Sequence, residues 1–136
     1  LPEDSEKYHQ KILEIEKEIY KSLGIPFRVV EMCSGDLGAV AHRKYDLEGW
    51  MPGKDGYGEI TSTSNCTDYQ ARNLKIRYRT ENNKTDYLHM LNGTAVAISR
   101  ALIVILENYQ REDGSVEIPK VLQKYFGKKV IIGEGK

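Results

Sequence analysis

The feature that most constrains the fold is a central block of short β-rich segments, separated by turn residues and bracketed by two amphipathic helices. Residues 27–33, 45–51 and 59–64 are rich in β formers, and the run Pro52-Gly53-Lys54-Asp55-Gly56 marks a tight turn. Strands joined by such turns pair antiparallel. The order of elements therefore predicts an α+β fold, with a mixed, mostly antiparallel sheet flanked by helices, rather than a doubly wound parallel sheet.

Two helices are predicted at the ends of this block. The first is capped by Asp4 or Ser5 and closes at Gly24, because Pro26 prevents its continuation. Spacings of three and four residues predict that its apolar face consists of Tyr8, Ile12, Ile15, Ile19 and Leu23. The second is predicted over residues 94–109, with a broad face buried on the sheet that comprises Val96, Ile98, Leu102, Ile105 and Leu106. Shorter elements are predicted as helices over 68–74 and 119–126 and strands over 76–79, 87–92 and 130–132.

The composition of this 136-residue chain favours one soluble globular domain. Hydrophobic residues make up 40%, and 20 basic residues balance 20 acidic ones. A dedicated nucleic-acid binder usually carries a basic excess, so composition does not support RNA contact by this chain alone. Cys33 and Cys66 are too few and too far apart for a disulfide scaffold or a zinc site. The polar, acidic opening and the lack of a long apolar run predict a cytoplasmic chain without a membrane segment.

The first candidate site lies on the third strand, in Glu59-Ile60-Thr61-Ser62-Thr63-Ser64-Asn65. A carboxylate and a hydroxyl on a rigid strand suit a Mg²⁺ ion that bridges phosphates, because Mg²⁺ prefers hard oxygen ligands. On a regular strand only residues i and i+2 share a face, so a bend is needed to bring Glu59 and Ser62 together. The alternative is a polar edge strand that binds nothing.

The second candidate site is the junction of a strand and the long helix, residues 91–100. Small residues allow close backbone approach there, at Gly93, Ala95 and Ala97. Asn92 and Thr94 can hydrogen-bond a small polar ligand or cap the helix.

Arg100 lies almost two turns into the predicted helix, among apolar neighbours. Its planar guanidinium suits a phosphate and can stack on an aromatic base. Because a buried arginine is costly unless paired, the alternative is a structural ion pair with Glu48 or Glu59.

Other candidates are weaker. We expect structural roles for three histidines, namely His9 on an exposed helix face, His42 and His89. A basic run could contact RNA through Arg72, Lys75, Arg77 and Arg79, with Tyr69 and Tyr78 between them. The neutral overall charge favours a solvated surface instead.

Several stretches of the sequence, in their order along the chain, resemble the seryl-tRNA synthetase family, and they are most similar to its archaeal-type members. They are Cys33-Ser34-Gly35-Asp36-Leu37-Gly38, Tyr45-Asp46-Leu47-Glu48-Gly49-Trp50-Met51-Pro52, and the runs over 59–72, 91–100 and 106–110. The likeness extends over about residues 3–127.

This resemblance implies a class II aminoacyl-tRNA synthetase fold and an activity in which ATP activates serine for transfer to tRNA(Ser). The implied ATP-binding residues are Glu59, Ile60, Thr61, Ser62 and Arg100, with Glu59 and Ser62 also holding Mg²⁺. Asn92 and Thr94 would line the serine pocket. Arg100 would be the catalytic arginine of the third class motif, in contact with the γ-phosphate and the adenine.

Other parts of the family have no counterpart in this sequence. These are the first class motif, which builds the homodimer interface, the second motif, which completes the ATP and serine site, and the tRNA-binding arm. We therefore expect residues 1–136 to be the C-terminal portion of the catalytic domain. Two alternatives stay open: a non-catalytic binding or regulatory relative, and a scaffold piece completed by another chain.

Overall fold

The computed structural model describes residues 1–133, so the last three residues of the expected domain lie outside the described part. Four α-helices and eight strands occur within it, and short 3-10 turns cover Pro2–Asp4 and Pro52–Lys54. In chain order they are α1 (Ser5–Ser22), β1 (Phe27–Glu31), β2 (Arg43–Met51), β3 (Gly56–Asn65), α2 (Tyr69–Leu74), β4 (Arg77–Arg79), β5 (Thr85–Tyr87), β6 (Leu91–Gly93), α3 (Ile98–Tyr109), β7 (Val116–Glu117), α4 (Lys120–Phe126) and β8 (Val130–Ile131).

The main sheet has four strands in the order β1-β2-β3-β6, and every neighbouring pair is antiparallel. Two smaller antiparallel pairs are formed by β4 with β5 and by β7 with β8. The predicted α+β class with an antiparallel sheet is therefore confirmed. The expected strand over 87–92 is wrong, because β5 ends at Tyr87 and β6 begins only at Leu91.

The core lies between one face of this sheet and the two longer helices. Helix α1 contacts β2, β3 and β6, and α3 contacts β2 and β3. Alternate residues of β2 enter the core, namely Tyr45, Leu47 and Met51. Gly49 lies at the next core-facing position of this alternation. A Cβ there would lie 3.0 Å from Ile60 and 3.2 Å from Val104, so the packing of these two residues leaves no room for a side chain.

The predicted apolar face of α1 is partly wrong. Tyr8 and Ile15 are exposed, at 47% and 46%. The buried side chains are instead Ser5, His9, Leu13, Glu16 and Tyr20. Apolar spacing missed this face because three of its members, a serine, a histidine and a glutamate, are polar. His9 is fully buried rather than exposed, and its ring lies 5.3 Å from the ring of Tyr45.

The predicted extent and burial of the second long helix are also wrong. Helix α3 begins at Ile98 rather than at residue 94, because Ala95 has a φ of +59°, which an α-helix excludes. Only Ala101 and Val104 of α3 are fully buried, and Ile105 packs at the margin of the core. The rest of the expected apolar face is 40–74% exposed: Val96, Ile98, Leu102 and Leu106.

Candidate functional site

A β-bulge brings Glu59 and Ser62 to the same side of the sheet. Across β2, Glu48 pairs with Glu59 and Asp46 pairs with Ser62, and Ile60 has no partner in this ladder. An extra residue of this kind changes the alternation of side chains in the strand that contains it. The partners Asp46 and Glu48 are two residues apart on one strand, about 7 Å along it. The bend that the candidate metal pair requires is therefore present.

The face that carries this pair is the one opposite the helices, which we call the open face. It comprises the cross-strand neighbours Arg28, Asp46, Glu48, Trp50, Tyr57, Glu59 and Ser62. Arg28 donates a 2.6 Å hydrogen bond to Glu48, and its guanidinium lies 4.7 Å from the ring centre of Tyr57. Sequence reasoning missed Arg28, which the observed register of β1 against β2 places beside Glu48.

Ile60 and Thr61 lie on the other side of β3. Ile60 is fully buried in the core and Thr61 is 2% exposed beneath α1. A ligand on the open face can therefore meet these two residues only through their backbone.

Arg100 reaches from α3 to the backbone of β3 at Glu59. Its guanidinium donates a 2.6 Å hydrogen bond to the Glu59 carbonyl and lies 3.8 Å from the Glu59 carboxylate. The expectation of a buried Arg100 almost two turns into the helix is wrong, since its side chain is 49% exposed and it lies in the first turn of α3. Of the two carboxylates proposed as ion-pair partners, Glu59 is the one in contact, because Glu48 pairs with Arg28. An exposed ion pair of this kind stabilises a protein by only about 0–1 kcal/mol.

Asn92 and Thr94 lie alongside the same stretch of β3. Asn92 is opposite Ser64, and the Thr94 amide donates a 3.2 Å hydrogen bond to the Ser62 carbonyl. Both side chains are exposed. The structure thus brings the residues of both candidate sites together: Thr94 is bonded to Ser62, and Arg100 to Glu59.

Gly93, between Asn92 and Thr94, is held tightly against α1. A Cβ there would lie 2.6 Å from Ile12 and 2.9 Å from the carboxylate of Glu16. The absence of a side chain at this position allows β6 to approach the helix closely.

Glu16 is a buried residue of the site region that sequence reasoning missed. It is 0% exposed, and its Oε1 accepts hydrogen bonds from the Ala95 amide at 3.1 Å and from the Thr61 hydroxyl at 3.4 Å. Burial raises the pKa of this carboxyl, while the two hydrogen bonds oppose the shift in part. No local pattern identifies it, because Ala95 is 79 residues away.

Two arginines of the basic run over residues 72–79 interact with side chains close by. Arg72 pairs with Asp68, and Arg77 donates to the Tyr87 hydroxyl at 2.6 Å. The guanidiniums of both arginines lie within 4.8 Å of the Tyr87 ring centre.

Within residues 1–133, no helix has the length and apolar character needed to cross a membrane. In the same residues, no three or more His, Cys, Asp or Glu side chains are grouped as a metal site. Any Mg²⁺ held here would therefore take few protein ligands and complete its shell with phosphates and water, which is how Mg²⁺ is commonly bound.

The sequence matches a known family over most of its length. Residues 1–109 match the profile of the tRNA synthetase class II core domain (G, H, P, S and T). The chain belongs to this family.

Individual class II relatives are similar along almost the whole chain. The serine–tRNA ligase of Dictyoglomus thermophilum is 65% identical over 126 residues, which are 93% of this chain and 30% of that protein. Those of Rubrobacter xylanophilus and Sulfolobus acidocaldarius are 60% and 56% identical, over 96% and 92% of this chain and 31% and 27% of their own lengths. The chain thus spans about 30% of the length of these relatives.

Solved structures agree with this assignment. The seryl-tRNA synthetase from Pyrococcus horikoshii complexed with ATP aligns with a TM-score of 0.95 and 53% identity, over 98% of this chain and 30% of that one. The cytoplasmic serine–tRNA ligase from Naegleria fowleri in complex with AMP aligns with a TM-score of 0.89 and 43% identity, over 96% and 31%. The class II fold implied by the resemblance is therefore confirmed.

Proposed function

We propose that this chain supplies the third-motif half of the ATP and serine site of a serine–tRNA ligase. The full activity would be the ATP-dependent activation of serine and its ligation to tRNA(Ser). The observation that carries the proposal is the arrangement on β3, where Arg100 contacts Glu59 and Thr94 contacts Ser62. Support also comes from the 65% identity to a serine–tRNA ligase over 126 residues.

Arg100 is the proposed ATP-binding and catalytic residue. In adenylate formation the serine carboxylate attacks the α-phosphorus of ATP, the bond to the β-phosphate breaks and pyrophosphate leaves, so the protein contributes chiefly by positioning ATP and by stabilising charge. An exposed guanidinium whose present partner is weakly bound is available for the γ-phosphate and for stacking on adenine.

Glu59 and Ser62 are the proposed Mg²⁺ ligands. They share the open face, present one carboxylate and one hydroxyl, and leave the remaining coordination to phosphates and water. Bound there, the ion would neutralise charge on the α- and β-phosphates. Ile60 and Thr61 complete the proposed ATP-binding stretch through their backbone.

Asn92 and Thr94 are the proposed serine-side residues. Both are polar, exposed and adjacent to the Ser62–Ser64 segment. A site that hydrogen-bonds a substrate hydroxyl discriminates strongly against an analogue that lacks it, such as alanine.

The further properties of such an enzyme belong to the whole ligase rather than to this segment. We infer that tRNA(Ser) binding and formation of a homodimer depend on the parts of the ligase that correspond to the remaining length of the relatives. We also infer that the whole ligase is cytoplasmic. A non-catalytic relative is less well supported, because Glu59, Thr94 and Arg100 are all present and clustered.

The test is serine-dependent ATP–pyrophosphate exchange in three preparations. They are this chain alone, a chimera in which it replaces the matched 126 residues of the Dictyoglomus thermophilum ligase, and the chain mixed with the rest of that ligase. We expect exchange in the chimera and none in the chain alone. Exchange only in the mixture, with an inactive chimera, would favour a scaffold piece completed by another chain.

Two substitutions in the chimera refine the test. Thr94→Ala should raise the KM for serine more than the KM for ATP, whereas the control Thr85→Ala, at an exposed position on β5, should change neither. A chimera without exchange, together with an inactive mixture, would contradict the proposed function and favour a binding or regulatory relative.

A further inference from the structure

Thr94 lies in a loop, residues 94–97, that is held from two sides. On one side its own amide is bonded to the Ser62 carbonyl of β3. On the other side the next amide, that of Ala95, is bonded to Glu16 of α1. Two successive amides are thus fixed by two different elements, and the conformation of the loop depends on both.

No other group can readily replace Glu16 as the hydrogen-bond acceptor for the Ala95 amide. Glu16 is fully buried, and water therefore has no ready access to the Ala95 amide from that side. Its Oε1 also accepts from Thr61, and among the described residues its Oε2 has no hydrogen-bond partner. The bare Gly93 backbone leaves the space that the carboxylate occupies.

The backbone of Ala95 needs such support. Its φ is +59°, a conformation that side-chain-bearing residues adopt at a cost and keep only where the surroundings enforce it. Three residues further on, α3 begins at Ile98, and its first turn carries Arg100. The backbone conformation at Ala95 therefore determines both the orientation of Thr94 and the direction of α3, which carries Arg100.

We propose that Glu16 is a positioning residue: through Oε1 it fixes Ala95 in the left-handed conformation, and so orients Thr94 toward the substrate and α3 toward the phosphates. Its importance for catalysis rests on the proposed function, whereas its effect on the loop does not. Glu16 itself lies on the helix side of the sheet and would touch neither ATP nor serine.

The variants separate the acceptor from the bulk of the side chain. Glu16→Met keeps the length but removes the acceptor, and Glu16→Gln keeps an acceptor oxygen without the charge. Leu13→Ala is the matched control, because Leu13 lies on the same buried face of α1 and packs in the apolar core. Ala95→Gly allows a positive φ without a side-chain penalty and should reduce the need for Glu16.

The first readout is amide hydrogen exchange of Ala95 in the 136-residue chain, which is independent of any activity. We expect Glu16→Met to speed this exchange about tenfold, the value for the loss of one protein hydrogen bond, and Glu16→Gln to leave it close to wild type. Leu13→Ala should lower the unfolding temperature without selectively affecting Ala95. If Ala95 exchange is unchanged in Glu16→Met, or rises equally in Leu13→Ala, the inference is overturned whatever the function of the chain.

The second readout is the KM for serine in the chimera. Glu16→Met should raise it by about tenfold, and the effect should shrink in the Ala95→Gly background because the two changes act on one backbone conformation. A serine KM that is unchanged by Glu16→Met in an active chimera would refute the positioning role. An inactive wild-type chimera would instead count against the proposed function, and Ala95 exchange would still decide whether Glu16 fixes the loop.

Discussion

Replacing Gly93 with alanine would place a methyl group where β6 crosses α1. The new Cβ would lie 2.6 Å from Cγ2 of Ile12, 2.9 Å from Oε1 of Glu16 and 3.3 Å from Oγ1 of Thr63. Carbon atoms in favourable contact are about 3.5–4.0 Å apart, so the methyl group is about 1 Å too close to the helix. The helix, the strand or both must move.

The expected destabilisation is at the upper end of the range for overpacked cores. Inserting a methylene-sized group costs about 1–3 kcal/mol in general, and here two of the three neighbours lie closer than 3.0 Å. We therefore expect a loss of about 3 kcal/mol in the free energy of unfolding. With a urea m-value of about 1.5 kcal/mol/M, the unfolding midpoint falls by about 2 M.

Urea unfolding followed by circular dichroism measures this loss, with Gly56→Ala as the control. Gly56 is also in the main sheet, but its nearest contact would be the Lys54 carbonyl at an ordinary 3.7 Å, so we expect a change below about 1 kcal/mol. Gly93→Ala should also speed Ala95 amide exchange, because the methyl group displaces the Glu16 carboxylate. Equal midpoints for the two variants would show that α1 does not pack on β6 as described.

Three further predictions concern single groups elsewhere in the fold. Tyr109→Phe removes a 2.6 Å hydrogen bond from the Tyr109 hydroxyl to the Leu23 carbonyl and should cost about 1 kcal/mol in thermal unfolding; an unchanged melting temperature would argue against that contact. A thiol reagent should label exposed Cys33 in the native chain and Cys66 only after unfolding, since burial raises the pKa of the Cys66 thiol; rapid native labelling that survives Cys33→Ser would contradict this. The pKa of Glu16 is raised, which means that the native state binds the carboxyl proton more tightly than the unfolded state does. The contribution of this proton to the free energy of unfolding is therefore fully present below the ordinary pKa of 4.5, and it is lost as the pH rises through the pKa of the folded state. Urea unfolding should accordingly show wild type losing stability relative to Glu16→Gln as the pH rises above 4.5, and a constant difference would refute the shift.

The strands were predictable because their signals are local. β-rich runs and the turn at Pro52–Lys54 lie close together in the chain, and they define an antiparallel hairpin without knowledge of the remaining fold. The candidate residues on β3 followed from the same local reading, helped by the family resemblance.

The shared face of Glu59 and Ser62 was not predictable from β3 alone. It depends on the bulge at Ile60, which exists only in the register of β3 against β2. The sequence showed that a bend was needed, but a ladder irregularity has no reliable local signal.

The buried side of α1 was mispredicted for a related reason. Apolar spacing identifies a face by hydrophobicity, and here the buried face includes His9 and Glu16. The buried Glu16 accepts a hydrogen bond from the amide of Ala95, which is 79 residues away in the sequence and has a positive φ. Polar groups that satisfy strained backbone across a fold are recognisable only from tertiary structure.

ATP binding by this chain in the presence of Mg²⁺ tests most directly whether Arg100 presents its guanidinium to ATP. Arg111→Ala is a matched control, because Arg111 is 48% exposed and paired with Glu117, against 49% for Arg100. Calorimetric titration should show that Arg100→Ala weakens ATP binding by about tenfold or more, the loss expected for a hydrogen bond to a charged group, while Arg111→Ala binds as wild type. Equal ATP affinity in Arg100→Ala and wild type would contradict the assignment.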